Sequence, residues 1–412
     1  MGGSAPGQGL ADAADRAWAR LQTLGTVSDE AGVLTRVFAG PGLARASGMV
    51  AGWMNEAGLL VERDGWGNVF GRTAGPAGRP LVILGSHLDT VRNAGKYDGA
   101  LGVLVGLAVL EAVGPSAWEA WPFSLEVAAF SDEEGARFQT TYLGSRAALG
   151  KIYPSDLTRM DSDGIRLEEL ISEADQEPVA RYRPGEVKAY VETHIEQGPV
   201  LESEGLALGV VSAIAGQTRA RVEFKGRAAH AGTCPMRLRR DALTAAAEWI
   251  LAVEASARRT DGLVATVGCL EVDHAAPNVV PGRIRATLDV RHAEDSVRKE
   301  AVLSFQRAAE EIARTRGLTV AWEIVQENGA VACGATLRQV LKNAVEAVQG
   351  RSMELVSGAG HDAVPMAGVG PVGMLFVRCA GGVSHHPDES VLPEDIRRAI
   401  EAMVCAMEGL SG

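Results

Sequence analysis

Histidines and carboxylates are concentrated in a few short segments of this sequence, and these residue types bind divalent metal ions. His87 and Asp89 follow the apolar segment LVILGS, and Asp98 comes next in GKYDGALG. Imidazole and carboxylate ligands without thiolate suit zinc, manganese or cobalt, and a paired site needs a carboxylate that bridges both ions. These residues therefore supply candidate ligands, although one segment does not complete a site.

Three further segments carry the same residue types. Asp132, Glu133 and Glu134 follow the apolar segment SLEVAAF, and an acidic cluster at a buried strand end would repel itself without a cation. The segment ETHIEQG contains His194, Glu196 and Gln197, and GGVSHHPDE contains His385 and His386. A single histidine after a strand is usually an ordinary surface or core residue, and acidic residues there are often helix caps. Four such segments in one chain favour a metal site.

The elements that must position these residues alternate between strands and helices. Apolar strand-like runs lie at 81–86, 124–130 and 187–195, with a helical pattern from Ala100 between the first two. A helix at 335–349 and a strand at 370–377 repeat this style near the C-terminus. The alternation predicts an α/β fold with a mixed or parallel sheet, in which ligands and catalytic groups lie at the carboxyl ends of strands.

The pattern changes in the middle of the chain. From Gly209 to about Val325 the predicted order is strand, strand, helix, strand, strand, helix, strand. This order fits a separate α+β module, a four-stranded sheet with two helices on one face. We therefore predict a catalytic domain in two parts, residues 1–208 and 328–412, with an inserted domain at 209–327.

Composition excludes several classes of partner. The chain has 412 residues and a formal net charge of -12, so two domains are expected and no basic field exists to bind nucleic acid or anionic lipid. Its five cysteines include no C-x-x-C pair, which argues against a disulfide framework and predicts reduced thiols in the cytoplasm. The N-terminal stretch shows no targeting signal, and the apolar segment ALGVLVGLAVLEAV is too short for a bilayer span, so we expect a buried core helix.

Nine motifs in register resemble a known family. They are H-x-D, Y-D-G, D-E-E-G-A-R-F, H-I-E-Q-G-P, H-A-G-T-x-P-M, P-N-V-V-P-G, D-V-R-H, G-A-G-H-D-A and S-H-x-P. From about Ala46 to the C-terminus the chain resembles the amidase/hydantoinase/carbamoylase branch of the aminoacylase-type di-metal exopeptidase superfamily. Members include allantoate amidohydrolase, N-carbamoyl-L-amino acid hydrolase and one type of β-ureidopropionase. The resemblance implies hydrolysis of a ureido or carbamoyl C–N bond in a small acid.

The resemblance also implies two divalent ions per subunit, zinc or manganese with cobalt as a further candidate. His87 and His194 would bind the first ion, Glu134 and His385 the second, and Asp98 would bridge both. The loop SHHP matches S-H-x-P, which makes His386 the variable position.

Catalytic and substrate-binding roles follow from the same motifs. Glu133 matches the general base, and Asp89 would hydrogen-bond the other ring nitrogen of His87 and fix its tautomer. His230 would reach into the active site of the partner subunit of a homodimer and hold the developing oxyanion. Arg291 would bind the substrate carboxylate as a planar, charged fork. The remaining expected substrate contacts are Asn278, Gln197 and Gln217, with Gly360 and His361 closing over the acid.

Several functions remain open at this point. The segments AFSDEEGARFQTTYLGS, AIAGQTRARVEFKG and VGMLFVRCAGGVSHHP resemble those of plant-type allantoate amidohydrolases. This resemblance implies hydrolysis of allantoate to ureidoglycine, ammonia and carbon dioxide, with N-carbamoyl-L-amino acid hydrolase and β-ureidopropionase as alternatives. An aminopeptidase or aminoacylase would share the metals, but HIEQGP and HAGTxPM favour the ureido/carbamoyl branch. A non-catalytic binding protein on the same fold is a different class of alternative. Nucleotide binding is disfavoured, since the glycines at 99, 102 and 106 do not have the G-x-G-x-x-G spacing.

Overall fold

The computed structural model describes residues 6–76 and 78–411. The first five residues, part of the stretch in which no targeting signal is expected, lie outside the described residues. The strands are β1 (Leu60–Arg63), β2 (Val69–Arg72), β3 (Leu81–His87), β4 (Ser124–Phe130), β5 (Val187–Ile195), β6 (Leu208–Ile214), β7 (Gly216–Lys225), β8 (Ala229–His230), β9 (Val264–Thr266), β10 (Leu270–Val272), β11 (Val279–Val280), β12 (Arg283–His292), β13 (Thr319–Asn328), β14 (Val331–Ala332), β15 (Glu354–Ser357) and β16 (Val372–Val377). The helices are α1 (Pro6–Leu24), α2 (Pro41–Glu56), α3 (Ala100–Ala120), α4 (Leu143–Ala148), α5 (Pro154–Leu157), α6 (Val200–Ser203), α7 (Ala242–Ala257), α8 (Asp295–Thr315), α9 (Ala335–Gln349), α10 (Ala363–Met366) and α11 (Pro393–Ser411).

The chain divides into two compact units. Unit one comprises Met1–Ser212 and Cys333–Gly412, and unit two comprises Ala213–Ala332. The insert was expected to start at 209 and to end at 327. The start differs because β6, which the strand pattern assigned to the insert, pairs through Gly209 and Val210 with β16 in the large sheet of unit one.

The large sheet of unit one has the order β1-β2-β4-β3-β5-β16-β6, and β15 also pairs with β6. The central strands β4, β3, β5 and β16 are parallel, whereas β1, β2 and β6 join antiparallel, so the expected mixed α/β sheet is confirmed. All seven residues of β3 and of β4 are buried. Such continuous apolar burial is typical of parallel strands, and it leaves polar side chains to collect at the strand ends.

Helix α3 follows directly after the loop that carries Asp98. Every residue from Ala100 to Leu110 is buried, as expected for a core helix. The helix is longer than the apolar segment suggested, and by length and composition alone it could cross a membrane. Gly114 (φ 72°) and Pro115 interrupt it, however, and most of its apolar window is buried inside the fold.

Unit two has its own core, formed where α7 and α8 pack on a sheet of order β10-β12-β7-β13 with β9 also paired to β12. The sheet therefore has five strands, not four. The expected edge strand is split, because Leu270 lies four positions after Thr266 while their partners Asp289 and Ala286 lie three positions apart. This one-residue β-bulge, which contains Gly268, breaks the pairing into β9 and β10.

Candidate metal centre

The predicted metal ligands lie at the carboxyl ends of the adjacent parallel strands β4, β3, β5 and β16. His87 is the last residue of β3, His194 is the penultimate residue of β5, and Glu134 follows β4. His385 lies in the segment after β16 and has a left-handed backbone (φ 57°). Since parallel strands end at the same edge of a sheet, four distant segments meet there.

The first cluster consists of His87, Asp98 and His194, all buried. Oδ1 of Asp98 lies 3.4 Å from Nε2 of His87 and 3.2 Å from Nε2 of His194. The Nδ1 atoms of the two rings lie 3.1 Å and 2.9 Å from the carbonyl oxygens of Asp89 and Ile195. A carbonyl can only accept, so each Nδ1 carries a hydrogen and each ring directs its Nε2 toward Asp98. Two imidazole nitrogens directed at one carboxylate oxygen form a donor set that suits a metal cation.

The second cluster shares Asp98 with the first. Nε2 of His385 lies 3.4 Å from Oδ2 of Asp98 and 3.3 Å from Oε1 of Glu134. Asp98 thus offers Oδ1 to one cluster and Oδ2 to the other, which is the arrangement of a bridging ligand. His386 is directed elsewhere, with Nδ1 3.5 Å from Asp388 and 57% of its side chain exposed.

The electrostatics of this end of the sheet favour bound cations. Burial disfavours ionisation of Asp98, but the histidines, His194 foremost, hold the pKa of Asp98 well below its ordinary value. Burial raises the pKa of Glu133 and of Asp132 well above their ordinary values. Both carboxylate oxygens of Asp132 are buried without a hydrogen-bond partner. In the described part of the chain, Asp98 and Glu134 form ion pairs only with histidines, so the donor set and its charge fit divalent metal ions.

Comparison with known proteins agrees with this geometry. The family model described as peptidase family M20/M25/M40 matches residues 83–409. The chain belongs to this family. Among its relatives are a probable allantoate deiminase of Oryza sativa subsp. japonica, 40% identical with 93% of this chain and 86% of that protein covered, and an N-carbamoyl-L-amino acid amidohydrolase of Geobacillus stearothermophilus, 41% identical with 94% and 96% covered. A solved hydantoinase/carbamoylase family amidase of Burkholderia multivorans superposes with a TM-score of 0.89 at 32% identity, covering 97% of this chain and 98% of that chain. The expected resemblance to this branch of the M20 peptidases is confirmed.

Position 99 requires glycine because the ring of His87, a predicted ligand, packs against it. Gly99 precedes α3, has a left-handed backbone (φ 67°), and a Cβ there would overlap the imidazole ring of His87. A larger residue would therefore strain the backbone and displace a predicted ligand.

Asp89 differs in part from its expected role. The hydrogen bond of His87 Nδ1 is made to the backbone carbonyl of Asp89, while the carboxylate Oδ1 lies at 3.4 Å. The Asp89 carboxylate accepts instead from the backbone N–H groups of Glu133 (3.0 Å) and Glu134 (3.1 Å). Asp89 therefore holds the predicted base and a predicted ligand in place as well as contacting His87.

Three predicted substrate contacts of unit one lie at or beside the predicted metal ligands. Gln197 was expected to contact the substrate, but its Nε2 donates to Asp98 Oδ2 (2.8 Å) and lies 3.1 Å from Ser384 Oγ. His361 was expected to close over the acid, but it is buried, with its ring centroid 4.5 Å from that of His194 and Nε2 2.7 Å from Ser357 Oγ. These contacts indicate that Gln197 and His361 hold the predicted metal ligands Asp98 and His194 in place.

Gly360, the third of these residues, is explained by a tyrosine that the sequence patterns did not single out. A Cβ at Gly360 would overlap the hydroxyl of Tyr142, so this segment passes directly against the phenol. Tyr142 in turn donates its backbone N–H to the carbonyl of Glu133 (3.0 Å). Burial, followed by the charge of Glu133, raises the pKa of Tyr142 well above its ordinary value.

The other predicted residues form two groups within unit two. Gln217 and Arg291 are directly opposite on β7 and β12, and both bind Asp289, Arg291 through two contacts of 2.8 and 3.0 Å. His230 and Asn278 meet at the short β8–β11 pair, where Ala231 donates to the carbonyl of Asn278 (2.8 Å). Nδ1 of His230 accepts from the N–H of Gly232 (3.1 Å), which leaves Nε2 as a hydrogen-bond donor.

Ser384 and Glu389 carry contacts that sequence reasoning missed. Ser384 Oγ lies 2.7 Å from Asp98 Oδ2, and Glu389 accepts from the backbone N–H of Asp98 (3.1 Å). Burial and the charge of Asp98 raise the pKa of Glu389 to about 7. The position of both residues in GGVSHHPDE, beside His385, was the available signal. Proximity in sequence did not reveal which of them faces Asp98.

Proposed function

We propose that this chain is a metal-dependent amidohydrolase that cleaves the ureido or carbamoyl C–N bond of a small acid, with allantoate as the favoured substrate. The observation that supports this most directly is Asp98, whose two oxygens face two separate ligand clusters. Two divalent ions, zinc or manganese with cobalt as a further candidate, would be held by His87 and His194 on one side and by Glu134 and His385 on the other. Bound there, the ions would supply Lewis acidity and would lower the pKa of a metal-bound water.

The relatives support the reaction class and leave two substrates. The rice relative is named a probable allantoate deiminase, and the Geobacillus relative is named an N-carbamoyl-L-amino acid amidohydrolase. Their identities to this chain, 40% and 41%, do not separate the two. Hydrolysis of N-carbamoyl-L-amino acids is therefore the second candidate. Both reactions break a C–N bond that is not a peptide bond.

The proton transfer is assigned to Glu133. Its buried side chain lies in the cluster with His87 and Glu134, and Asp89 fixes its backbone N–H. Burial raises the pKa of Glu133 well above its ordinary value, which suits a carboxylate that takes a proton from the attacking water and gives it to the leaving nitrogen.

Substrate recognition is assigned to unit two. Nε2–H of His230 is the kind of donor that stabilises an oxyanion, and the proposed homodimer would bring it to the partner subunit's metal centre. Arg291 would bind the substrate carboxylate beside Gln217, with its guanidinium oriented by Asp289. Asn278 would contribute an amide contact.

The five cysteines are all free thiols, in keeping with the proposed cytoplasmic location.

A substrate panel with metal analysis tests this function. The purified protein, loaded separately with zinc, manganese and cobalt, is assayed on allantoate, several N-carbamoyl-L-amino acids, β-ureidopropionate and a plain dipeptide. We expect close to two bound ions per chain and the highest kcat/KM on allantoate. We expect no hydrolysis of the dipeptide.

Each other outcome has a defined meaning. Fewer than one bound or activating ion per chain would contradict the metal centre. A higher kcat/KM on N-carbamoyl-L-amino acids selects the second candidate, and hydrolysis of the dipeptide alone would contradict the reaction class. Binding of ureido acids without turnover would identify a non-catalytic binding protein. Size measurement across a concentration series tests the homodimer.

A further inference from the structure

The segment after β16 reaches back to the loop that carries Asp98. Glu389 is only 4% exposed, and its Oε1 accepts two backbone N–H groups, from Tyr97 (2.7 Å) and from Asp98 (3.1 Å). A Cβ at Gly95 would overlap the Glu389 side chain, so the loop passes flat against this carboxylate. One buried side chain thus fixes the backbone of the predicted bridging residue.

The same segment also contacts the Asp98 side chain. Ser384 Oγ lies 2.7 Å from Asp98 Oδ2 and 3.3 Å from Glu389 Oε2. Ser384 directly precedes His385, which lies 3.4 Å from the same Oδ2. Ser384, just before His385 in the chain, therefore contacts the Asp98 side chain, and Glu389, just after it, holds the Asp98 backbone.

We propose that Glu389 is a positioning residue for the bridging carboxylate, an inference that rests on the proposed two-metal centre. By holding Tyr97 and Asp98 through two amide hydrogen bonds, Glu389 sets the distance between Asp98 and His385. A bridging ligand must satisfy two ions at once, so a displaced Asp98 weakens both sites. Partners of metal ligands typically change metal affinity by about 10–100-fold when they are removed.

Metal affinity measured by chelator competition tests the proposal. We expect Glu389→Ala to weaken binding by about 10–100-fold. Glu389→Asp, one methylene shorter, cannot reach both amides and should weaken it in the same direction. Glu389→Gln should keep the wild-type affinity, because its amide oxygen still accepts both N–H groups. The visible spectrum of the cobalt-loaded protein should change in the Ala and Asp variants and stay unchanged in the Gln variant.

Asp29 provides a matched control. It also accepts two backbone N–H groups, from Val37 and Gly42, at a loop of unit one. Asp29→Ala should lower the thermal stability of the metal-free protein while leaving metal affinity unchanged.

The outcomes separate this proposal from the proposed function. Wild-type affinity in Glu389→Ala or Glu389→Asp overturns the inference, as does a Glu389→Gln variant that binds metal no better than Glu389→Ala. Equal weakening by Asp29→Ala would show a general stability effect and would also overturn it. If Glu389→Ala does not fold, the Asp and Gln variants decide. A wild-type chain that binds no metal would instead remove the proposed function.

Discussion

The two ends of the large sheet both bury carboxylates, but they neutralise them differently. Near the amino ends of the parallel strands, the fully buried Glu126 of β4 accepts from Arg181 at 3.2 and 2.8 Å and from the Tyr182 hydroxyl at 2.6 Å. At the carboxyl ends, Asp98 and Glu134 have only histidines as ion-pair partners within the described residues. A buried charge requires a counter-charge or a metal.

The difference indicates which of the buried carboxylates would need a metal cation as a counter-charge. A cavity of about 650 Å³ lies beside Glu126, lined in part by Arg181, Glu62 and the first residues of β3 and β5. Arg181 also binds Glu62 there, so these charges already satisfy one another. Among the described residues, Asp98 and Glu134 have no arginine or lysine as an ion-pair partner. This cavity lies at the end of the sheet opposite the predicted metal ligands.

The largest expected effect separates Glu133 from its neighbour. Glu133→Gln should lower kcat by about 10²–10⁴-fold and leave metal content unchanged, because a general base is lost while the predicted ligands remain. Glu134→Gln, the matched control, should lose one ion. Turnover assays and elemental analysis of both variants give the result. If Glu133→Gln also loses metal, the division of roles between these two residues is wrong.

The next largest expected effect is a loss of stability at the amino end of the large sheet. Arg181→Met leaves Glu126 buried without its cation, and removing one partner of a buried pair costs about 3–5 kcal/mol in the free energy of unfolding. Combining it with Glu126→Gln should recover part of that loss, since a neutral amide needs no cation. Chemical denaturation measures both variants. Metal content and kcat of the folded protein should stay at wild-type values, and a change in either would contradict the separation of the two ends.

The smallest effect compares two glycines that both have a positive φ. Gly99 and Gly114 have φ values of 67° and 72°, but a Cβ at Gly114 meets nothing within 4 Å, whereas one at Gly99 overlaps His87. Alanine at either position adopts an unfavourable backbone conformation, which costs about 1–3 kcal/mol. Only Gly99→Ala should also weaken metal binding, by about 10–100-fold, because it moves a ligand. Equal metal affinity in the two variants, measured by chelator competition, would show that His87 adapts.

Much of unit one could be predicted from local patterns. The apolar runs at 124–130 and 187–195 coincide with β4 and β5, because a strand buried on both faces is continuously apolar. The edge strand and the boundary of unit two were harder to predict. The split of its edge strand follows from a one-residue bulge, and β6 joins the large sheet although its sequence resembles the strands that follow it.

The types and the order of the chemical groups follow directly from the amino-acid sequence. Strand-end histidines and carboxylates, and the motifs that contain them, are properties of short segments, so His87, Asp98, Glu134, His194 and His385 could be named from the sequence. How these groups are held in place depends on contacts between distant parts of the chain. Asp98 presents one oxygen to each cluster, and Glu389 binds the backbone of Tyr97 from 292 residues away. Such pairings depend on where long-range packing brings each strand end, and no local pattern encodes that distance.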